Sequence, residues 1–234
     1  MSARRPELRE GTLDLGADDV RARAGFRVVT TELLAGGPVE LEFFVESLGA
    51  RPLHLAVGGD RMRQRPGQFT FAATFEGSPL ADPMADAPDM GGPLGVVQVS
   101  PGKPWRQPLI LNQFIRLEDT RARLEQGAAG QLALACKRPL ALAADEAHAL
   151  SQDEGGPVVA VDLAFDLRRD DAALETLAAG FLDEVMHGPP ASRERPLALL
   201  LSMRSVARRE IDEVTGHTDP NVSNRERQVL ALLF

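Results

Sequence analysis

Residues 38–60 read PVELEFFVESLGARPLHLAVGGD and contain two runs in which apolar and polar side chains alternate. From residue 39 to residue 45 an apolar side chain stands at every second position, and only Phe44 interrupts the pattern. Residues 53–57 repeat the alternation after a short turn that contains glycine and proline. A period of two is typical of strands with one buried face. This stretch predicts two adjacent strands of a β-sandwich.

Further strands are predicted on both sides of this pair, because apolar alternation or β-branched residues recur between turn-forming glycines and prolines. The total is seven to nine strands with almost no helix among them, which favours an antiparallel, Ig-like β-sandwich over a βαβ fold. The additional predicted strands lie within residues 26–34, 69–75, 96–99, 105–117, 132–136 and 159–167.

After Asp170 the apolar spacing changes to three and four residues, which is typical of helices. Three helices are predicted, opening near Asp170, Ser192 and Ser223, and the chain given ends at Phe234 within the last apolar run. The fold class is therefore mainly β with an α-helical C-terminus. The predicted organisation is a polar N-terminal lead-in (1–24), an Ig-like β-sandwich (25–168) and a helical C-terminal segment (169–234).

The charge, the cysteine content and the hydropathy of the chain exclude several classes of function. The formal net charge is −8 and the sequence pI is about 5.1. An acidic chain lacks the basic surface that nucleic-acid phosphates require, so no nucleic acid is expected as a partner. Cys136 is the only cysteine, and no run is apolar enough for a signal h-region or a membrane span, so a cytoplasmic location without membrane contact is expected.

Three segments carry a resemblance to a known family: LEFFVESLGARPLHLAVGGD (41–60), FTFAATFEGSPLADP (69–83) and VSPGKPWRQPLIL (99–111). Over residues 25–167 the chain resembles bacterial cytoplasmic Ig-like domains that often precede HEAT-like helical segments. A looser likeness is to intracellular proteinase-inhibitor-type Ig domains. The matching motifs are turn and packing motifs, so the resemblance implies a fold and says little about function.

Four residues are candidates for binding. Arg61, Arg63 and Arg65 alternate, so in an extended segment they would face one way and could bind a phosphate or an acidic partner. The alternative is a solvated strand edge whose charges prevent edge-to-edge pairing. Trp105, the only tryptophan, is either a plug in the core or an exposed interface anchor.

A loop at residues 78–95, rich in proline, glycine and aspartate, holds the metal candidates Asp82, Asp86 and Asp89. Hard cations such as calcium bind several oxygen ligands from flexible loops. The spacing matches no EF-hand, and aspartates in loops also form turns, which is the favoured interpretation. No cofactor is predicted.

Catalytic motifs are missing from the sequence: there is no G-x-S-x-G, P-loop, G-x-G-x-x-G or H-E-x-x-H. None of the four histidines has another histidine four residues away, and Cys136 lies on the apolar side of its strand. The expected function is a non-catalytic protein–protein interaction module that binds a protein partner or self-associates through its C-terminal helices. The alternatives are an enzyme or small-ligand binder with its site at the junction of sandwich and helices, and an intracellular protease inhibitor that uses loop 78–95.

Overall fold

The structure, a computed structural model, describes residues 6–16, 20–58, 68–85, 94–151 and 156–203. The described chain contains eleven strands and four α-helices. The strands are β1 (Glu10–Leu15), β2 (Ala22–Val28), β3 (Glu40–Ser47), β4 (Leu53–Gly58), β5 (Thr70–Phe75), β6 (Ser78–Pro79), β7 (Leu94–Val99), β8 (Trp105–Ile110), β9 (Ala129–Pro139), β10 (Leu142–Ala143) and β11 (Val158–Arg168). The helices are α1 (Glu118–Arg121), α2 (Glu146–Ser151), α3 (Asp171–His187) and α4 (Glu194–Ser202).

The strands form three sheets, and every strand pair with a recorded register is antiparallel. Their orders are β1-β2-β3-β8, β10-β4-β7 and β11-β9-β5-β6. The chain is therefore mainly β, as the alternation predicts. The two strands predicted from residues 38–60 are β3 and β4, and they lie in different sheets.

Two compact units divide the chain. The first is drawn from residues 1–31, 39–116 and 130–166, and the second from residues 32–38, 117–129 and 167–234. The last of the three segments of the second unit starts at residue 167. The unit also includes two short segments that the sequence analysis assigned to the β region.

Aromatic side chains form the centre of the first unit. The ring centroid of Phe43 lies 4.8 Å from that of Phe26 and 5.4 Å from that of Phe69. Phe71 lies 5.8 Å from Phe26, and its ring meets that of Phe114 at 4.8 Å. Rings tilted or edge-on at these distances add favourable contact to the apolar area that they bury. The alternation of β3 and of β5 thus faces one shared apolar cluster.

Part of the predicted polar lead-in (1–24) belongs to a sheet. Residues 10–15 form β1, which pairs along its whole length with β2, and β2 begins at Ala22 instead of at Phe26. Gly25 permits this close pairing, because a Cβ atom there would lie 2.2 Å from the carbonyl oxygen of Gly11. β1 has no fully buried residue, so its sequence lacks the apolar alternation that would have predicted a strand.

In the second unit, α3 and α4 pack through the apolar stripe that the sequence predicts. The carboxylate of Asp170 caps α3 by accepting a 3.1 Å hydrogen bond from the backbone N–H of Ala173, and the helix ends at His187 before Gly188. α4 begins at Glu194, and the hydroxyl of Ser192 donates to the carbonyl of Pro189, so Ser192 does not cap it. The buried cluster comprises Leu34, Leu174, Ala178, Leu182, Leu200 and Met203. The predicted end of the second helix and the third helix lie outside the described residues.

A pair of arginines ties the start of α3 to residues 117–129. Arg169 donates 2.6 Å to the carbonyl of Leu124 and 3.0 Å to the carboxylate of Asp171. Arg121 donates 2.9 Å to the other oxygen of Asp171. Hydrogen bonds from Arg169 and then from Arg121 lower the pKa of Asp171 to about 2. These contacts explain why residues 117–129 belong to the helical unit.

Replacing Phe43 by alanine should remove the centre of the aromatic cluster and lower the free energy of unfolding by about 3–5 kcal/mol. The matched control is Phe44→Ala, the same change at the next residue, whose side chain lies on the opposite face of β3 and is only half-buried. Urea unfolding followed by circular dichroism measures both. Equal losses for the two variants would contradict the assignment of the buried face.

Replacing Asp171 by asparagine should destabilise the helical unit by about 1 kcal/mol at neutral pH, because both arginine contacts lose their charge. The pKa of Asp171 is lower in the folded state than in the unfolded chain, so its contribution is present above the unfolded value and is lost as the pH falls toward 2. The difference between wild type and variant should therefore shrink between about pH 4 and pH 2. Thermal melts across this range measure it, and a difference independent of pH would contradict the prediction.

Candidate functional site

Of the four predicted binding residues, the structure places Trp105. Its side chain is half-buried at the start of β8, and its ring centroid lies 6.3 Å from that of Phe43. Trp105 thus contacts the core and also reaches the surface, which combines the two roles considered for it. Arg61, Arg63 and Arg65 lie outside the described residues.

Asp82 is the one metal candidate within the described residues, since Asp86 and Asp89 lie outside them. Its carboxylate accepts a 2.8 Å hydrogen bond from the backbone N–H of Met84. An aspartate that accepts from the residue two positions on forms an Asx turn. Within the described residues no group of three or more His, Cys, Asp or Glu side chains could hold a metal ion.

Three histidines fall within the described residues, and each has a hydrogen-bond partner. The ring of His54 lies 3.2 Å from the carbonyl of Ala144. His148 pairs with Asp145 on the same short segment, and His187 pairs with Asp183 one helical turn away. His54 and His148 therefore both lie beside residues 144–145, whereas His187 lies at the end of α3.

Cys136 is fully buried on the inward side of β9. Burial, and to a smaller degree the charge of Asp162, raises the pKa of the Cys136 thiol. A thiol acts as a nucleophile only as the thiolate, so this cysteine behaves as a small apolar side chain.

Arg138 is the functional candidate that sequence reasoning missed. It lies near the end of β9, is fully buried, and is the largest completely buried side chain of the described residues. Its guanidinium carbon lies 4.5 Å from the ring centroid of Phe43, 4.7 Å from that of Phe69 and 5.0 Å from that of Trp105. Contacts of this kind between a cation and aromatic rings are attractive.

Two glutamines provide the polar contacts of Arg138. Nη2 donates 3.0 Å to the side-chain oxygen of Gln68, and Nη1 lies 3.5 Å from that of Gln107, at the limit of a hydrogen bond. Nε is buried and has no partner among the described residues. Burial lowers the pKa of Arg138 to about 9, so the guanidinium keeps its charge at neutral pH.

A sequence signal for Arg138 exists. Leu132, Leu134 and Cys136 occupy alternate positions, and continuing the period of two for one more step reaches Arg138. The burial pattern of β9 confirms that all four residues face inward. A charged residue at the end of an apolar alternation is the pattern that would have identified it.

A second candidate is the free edge of β7. Within the described residues β7 pairs with β4 on one side and has no strand on its other side. Its sequence, LGVVQV, contains neither a charged residue nor proline. The other edge strands carry features that discourage pairing: β6 and β10 are two residues long, β8 contains Pro108, and β1 and β11 contain charged residues.

The backbone groups on the free edge of β7 follow from the pairing of β4. The N–H of Ala56 donates to the carbonyl of Ala141 on the β10 side, so Leu55, one residue earlier, directs its backbone groups toward β7. Leu55 is opposite Val97, so Val97 is bonded to β4. The N–H and C=O groups of Val96 and Gln98 therefore point away from β4.

No protein-family model matches this chain, and no curated protein matches it either. Among solved structures, a crystal structure of a protein from Archaeoglobus fulgidus is similar at 16% sequence identity with a TM-score of 0.26. The similarity covers 62% of this chain and 93% of that one. At this TM-score the likeness supports no conclusion. No helix in the described part of the chain has the length and hydropathy needed to cross a membrane.

The burial of Cys136 predicts that a disulfide reagent such as dithionitrobenzoate reacts with the native protein at least about 100-fold more slowly than with the urea-unfolded chain. The absorbance of the released thiolate measures both rates. Since the chain has no other cysteine, the signal reports this residue alone. A native rate close to the unfolded rate would contradict the buried position.

Proposed function

We propose that this chain is a non-catalytic protein–protein interaction module in which an Ig-like β-sandwich is followed by a helical segment. The observation that supports the proposal is the free, uncharged edge of β7. Exposed strand edges template pairing with other chains, and natural proteins usually block them. The other edge strands of the described chain have features that block pairing, whereas β7 has none of them. A protein that binds an extended strand requires such an open edge.

The proposed occupant is an extended segment of another protein that adds a strand next to β7. In this mode of recognition the backbone provides affinity and alternate side chains provide specificity. Val96 and Gln98 supply the backbone groups. Because the chain carries a net charge of −8, a segment with basic residues at its ends is favoured over an acidic one.

Self-association through the C-terminal helices remains a prediction of the sequence. Within the described residues, the apolar stripe of α3 is already packed against α4 in the cluster that includes Leu174 and Leu200. This packing leaves less apolar surface on α3 for a second chain, so the edge of β7 is the better-supported interface. No contact or burial among the described residues favours the enzyme or protease-inhibitor alternative.

Gln98→Pro tests the proposal. The outward N–H of Gln98 makes no bond to β4, so proline should block the edge and leave the fold intact, whereas Val97→Pro removes a donor of the β4–β7 ladder and should lower the melting temperature. Gln98→Thr is the matched control that keeps the N–H. Peptides selected from a random decapeptide library against the wild-type chain should bind Gln98→Thr normally and Gln98→Pro at least about tenfold more weakly.

Hydrogen exchange provides the second readout, because a bound strand should protect the amides of Val96 and Gln98. Equal binding of the selected peptides to Gln98→Pro, or failure to select any peptide, would overturn the proposal. Light scattering tests whether a second copy of this chain occupies the edge instead. If the wild type is a dimer and Gln98→Pro is a monomer, the edge pairs with a second copy, and the partner proposed here is excluded.

A further inference from the structure

Helix α2 covers one face of the sheet that ends in the free edge of β7. It contacts all three strands of this sheet, β10, β4 and β7. The ring of His54 on β4 lies 3.2 Å from the carbonyl oxygen of Ala144, two residues before the helix, and Ala149 within the helix is buried. His54 and Ala56 share one face of β4, because side chains alternate along a strand, and Ala56 is buried there. α2 therefore lies on the face of the sheet to which His54 and Ala56 belong.

The residues of β7 that carry the free backbone groups stand on the same face as this helix. Ala56 is opposite Val96, and His54 is opposite Gln98, in the antiparallel register of β4 and β7. The side chains of directly opposed residues lie on one face of a sheet. Val96 and Gln98 thus lie on the α2 side, where Val96 is half-buried and Gln98 is exposed. A strand added beside β7 would place the residues opposite these two on the α2 side as well.

The end of α2 that lies nearest the free edge carries an exposed leucine. Ala143 of β10 is opposite His54, so the chain enters α2 from the β10 edge of the sheet. Neighbouring strands are about 4.8 Å apart and a helix rises about 1.5 Å per residue, so the six residues of α2 suffice to cross from β10 to β7. Since α2 contacts β7, its C-terminal end, with Leu150, is the end that reaches the edge strand. The side chain of Leu150 is 42% exposed, so its apolar surface is available to a further strand.

We infer that the strand proposed to bind β7 places an apolar side chain opposite Val96, where Leu150 and Val96 contact it. The inference rests on the proposed function and adds a side-chain requirement to the backbone pairing. In strand addition, alternate side chains of the added strand determine which sequence is bound. The next residue on this face stands opposite Gln98, which is exposed, so a polar side chain suits that position. In the antiparallel arrangement that all recorded strand pairs of this chain have, the partner therefore reads polar-x-apolar from its N-terminus.

The peptides selected against the wild-type chain test this requirement in the variant Leu150→Gln. Loss of the apolar contact should weaken their binding at least about fivefold. Leu13→Gln is the matched control and should bind as the wild type does, because Leu13 is 39% exposed and lies on β1 of another sheet. Leu150→Met keeps an apolar side chain and should retain the affinity within about twofold. If Leu150→Gln does not melt cooperatively, Leu150→Ala replaces it with the same expected loss.

A double-mutant cycle locates the contact on the peptide. Replacing the apolar residue of the polar-x-apolar pair by alanine should weaken binding to the wild type more than binding to Leu150→Gln, because the two side chains touch. The same replacement at the residue between the pair should weaken binding equally in both proteins, because that residue faces the other side of the sheet.

The outcomes separate this inference from the proposed function. If Gln98→Pro loses binding but Leu150→Gln does not, the edge binds a strand and the role of Leu150 is wrong. The same conclusion follows if the cycle is additive at the apolar residue, or if Leu13→Gln weakens binding as much as Leu150→Gln does. If no peptide is selected, or if the peptides bind Gln98→Pro normally, the proposed function is wrong and this inference is wrong with it.

Discussion

The packing of the Phe43 side chain is the interaction on which the first unit depends. This side chain points inward from β3, and its ring meets those of Phe26 and Phe69 and the guanidinium of Arg138. These partners come from β2, from the residue before β5 and from β9, so a single side chain joins two of the three sheets. Non-directional burial of this kind requires only that each strand turn its apolar side to the same place, which a period of two in the sequence achieves.

This mechanism explains how much of the fold the sequence could predict. β3, β4, β5 and β11 were predictable, because one face of each is buried and the apolar residues recur at every second position. β1 was not, because it is held by backbone hydrogen bonds to β2, next to the bridge between Leu8 and Ala164, and such bonds produce no apolar alternation in the sequence. The burial of Arg138 was not predicted for a related reason: the apolar alternation of β9 ends at Cys136, and the next inward position holds a charged residue.

The segments of the second unit are held together by contacts between residues that are far apart in the sequence. Gly36 donates its N–H to the hydroxyl of Thr120, a fully buried side chain 84 positions away. Leu34 pairs with Arg168 in a parallel bridge, and Arg169 binds the carbonyl of Leu124. Such pairings satisfy buried backbone groups in ways that no local pattern encodes, which is why the helices were predicted while their two short partner segments were not.

Arg138 and the edge of β7 are two places where the described chain departs from the rules that the rest of its sequence follows. Most of the described chain agrees with its fold: buried residues are mainly apolar, the other edge strands are short, charged or contain proline, and Asp170 caps its helix. A sequence that specifies one structure follows these rules almost everywhere, and departures are expected where a residue is retained for binding. Within the described residues, Arg138 is a buried cation without an ion-pair partner and β7 is a strand edge left open, and an open edge is what a partner strand would pair with. The two departures involve different groups, side-chain N–H at Arg138 and backbone N–H and C=O at Val96 and Gln98.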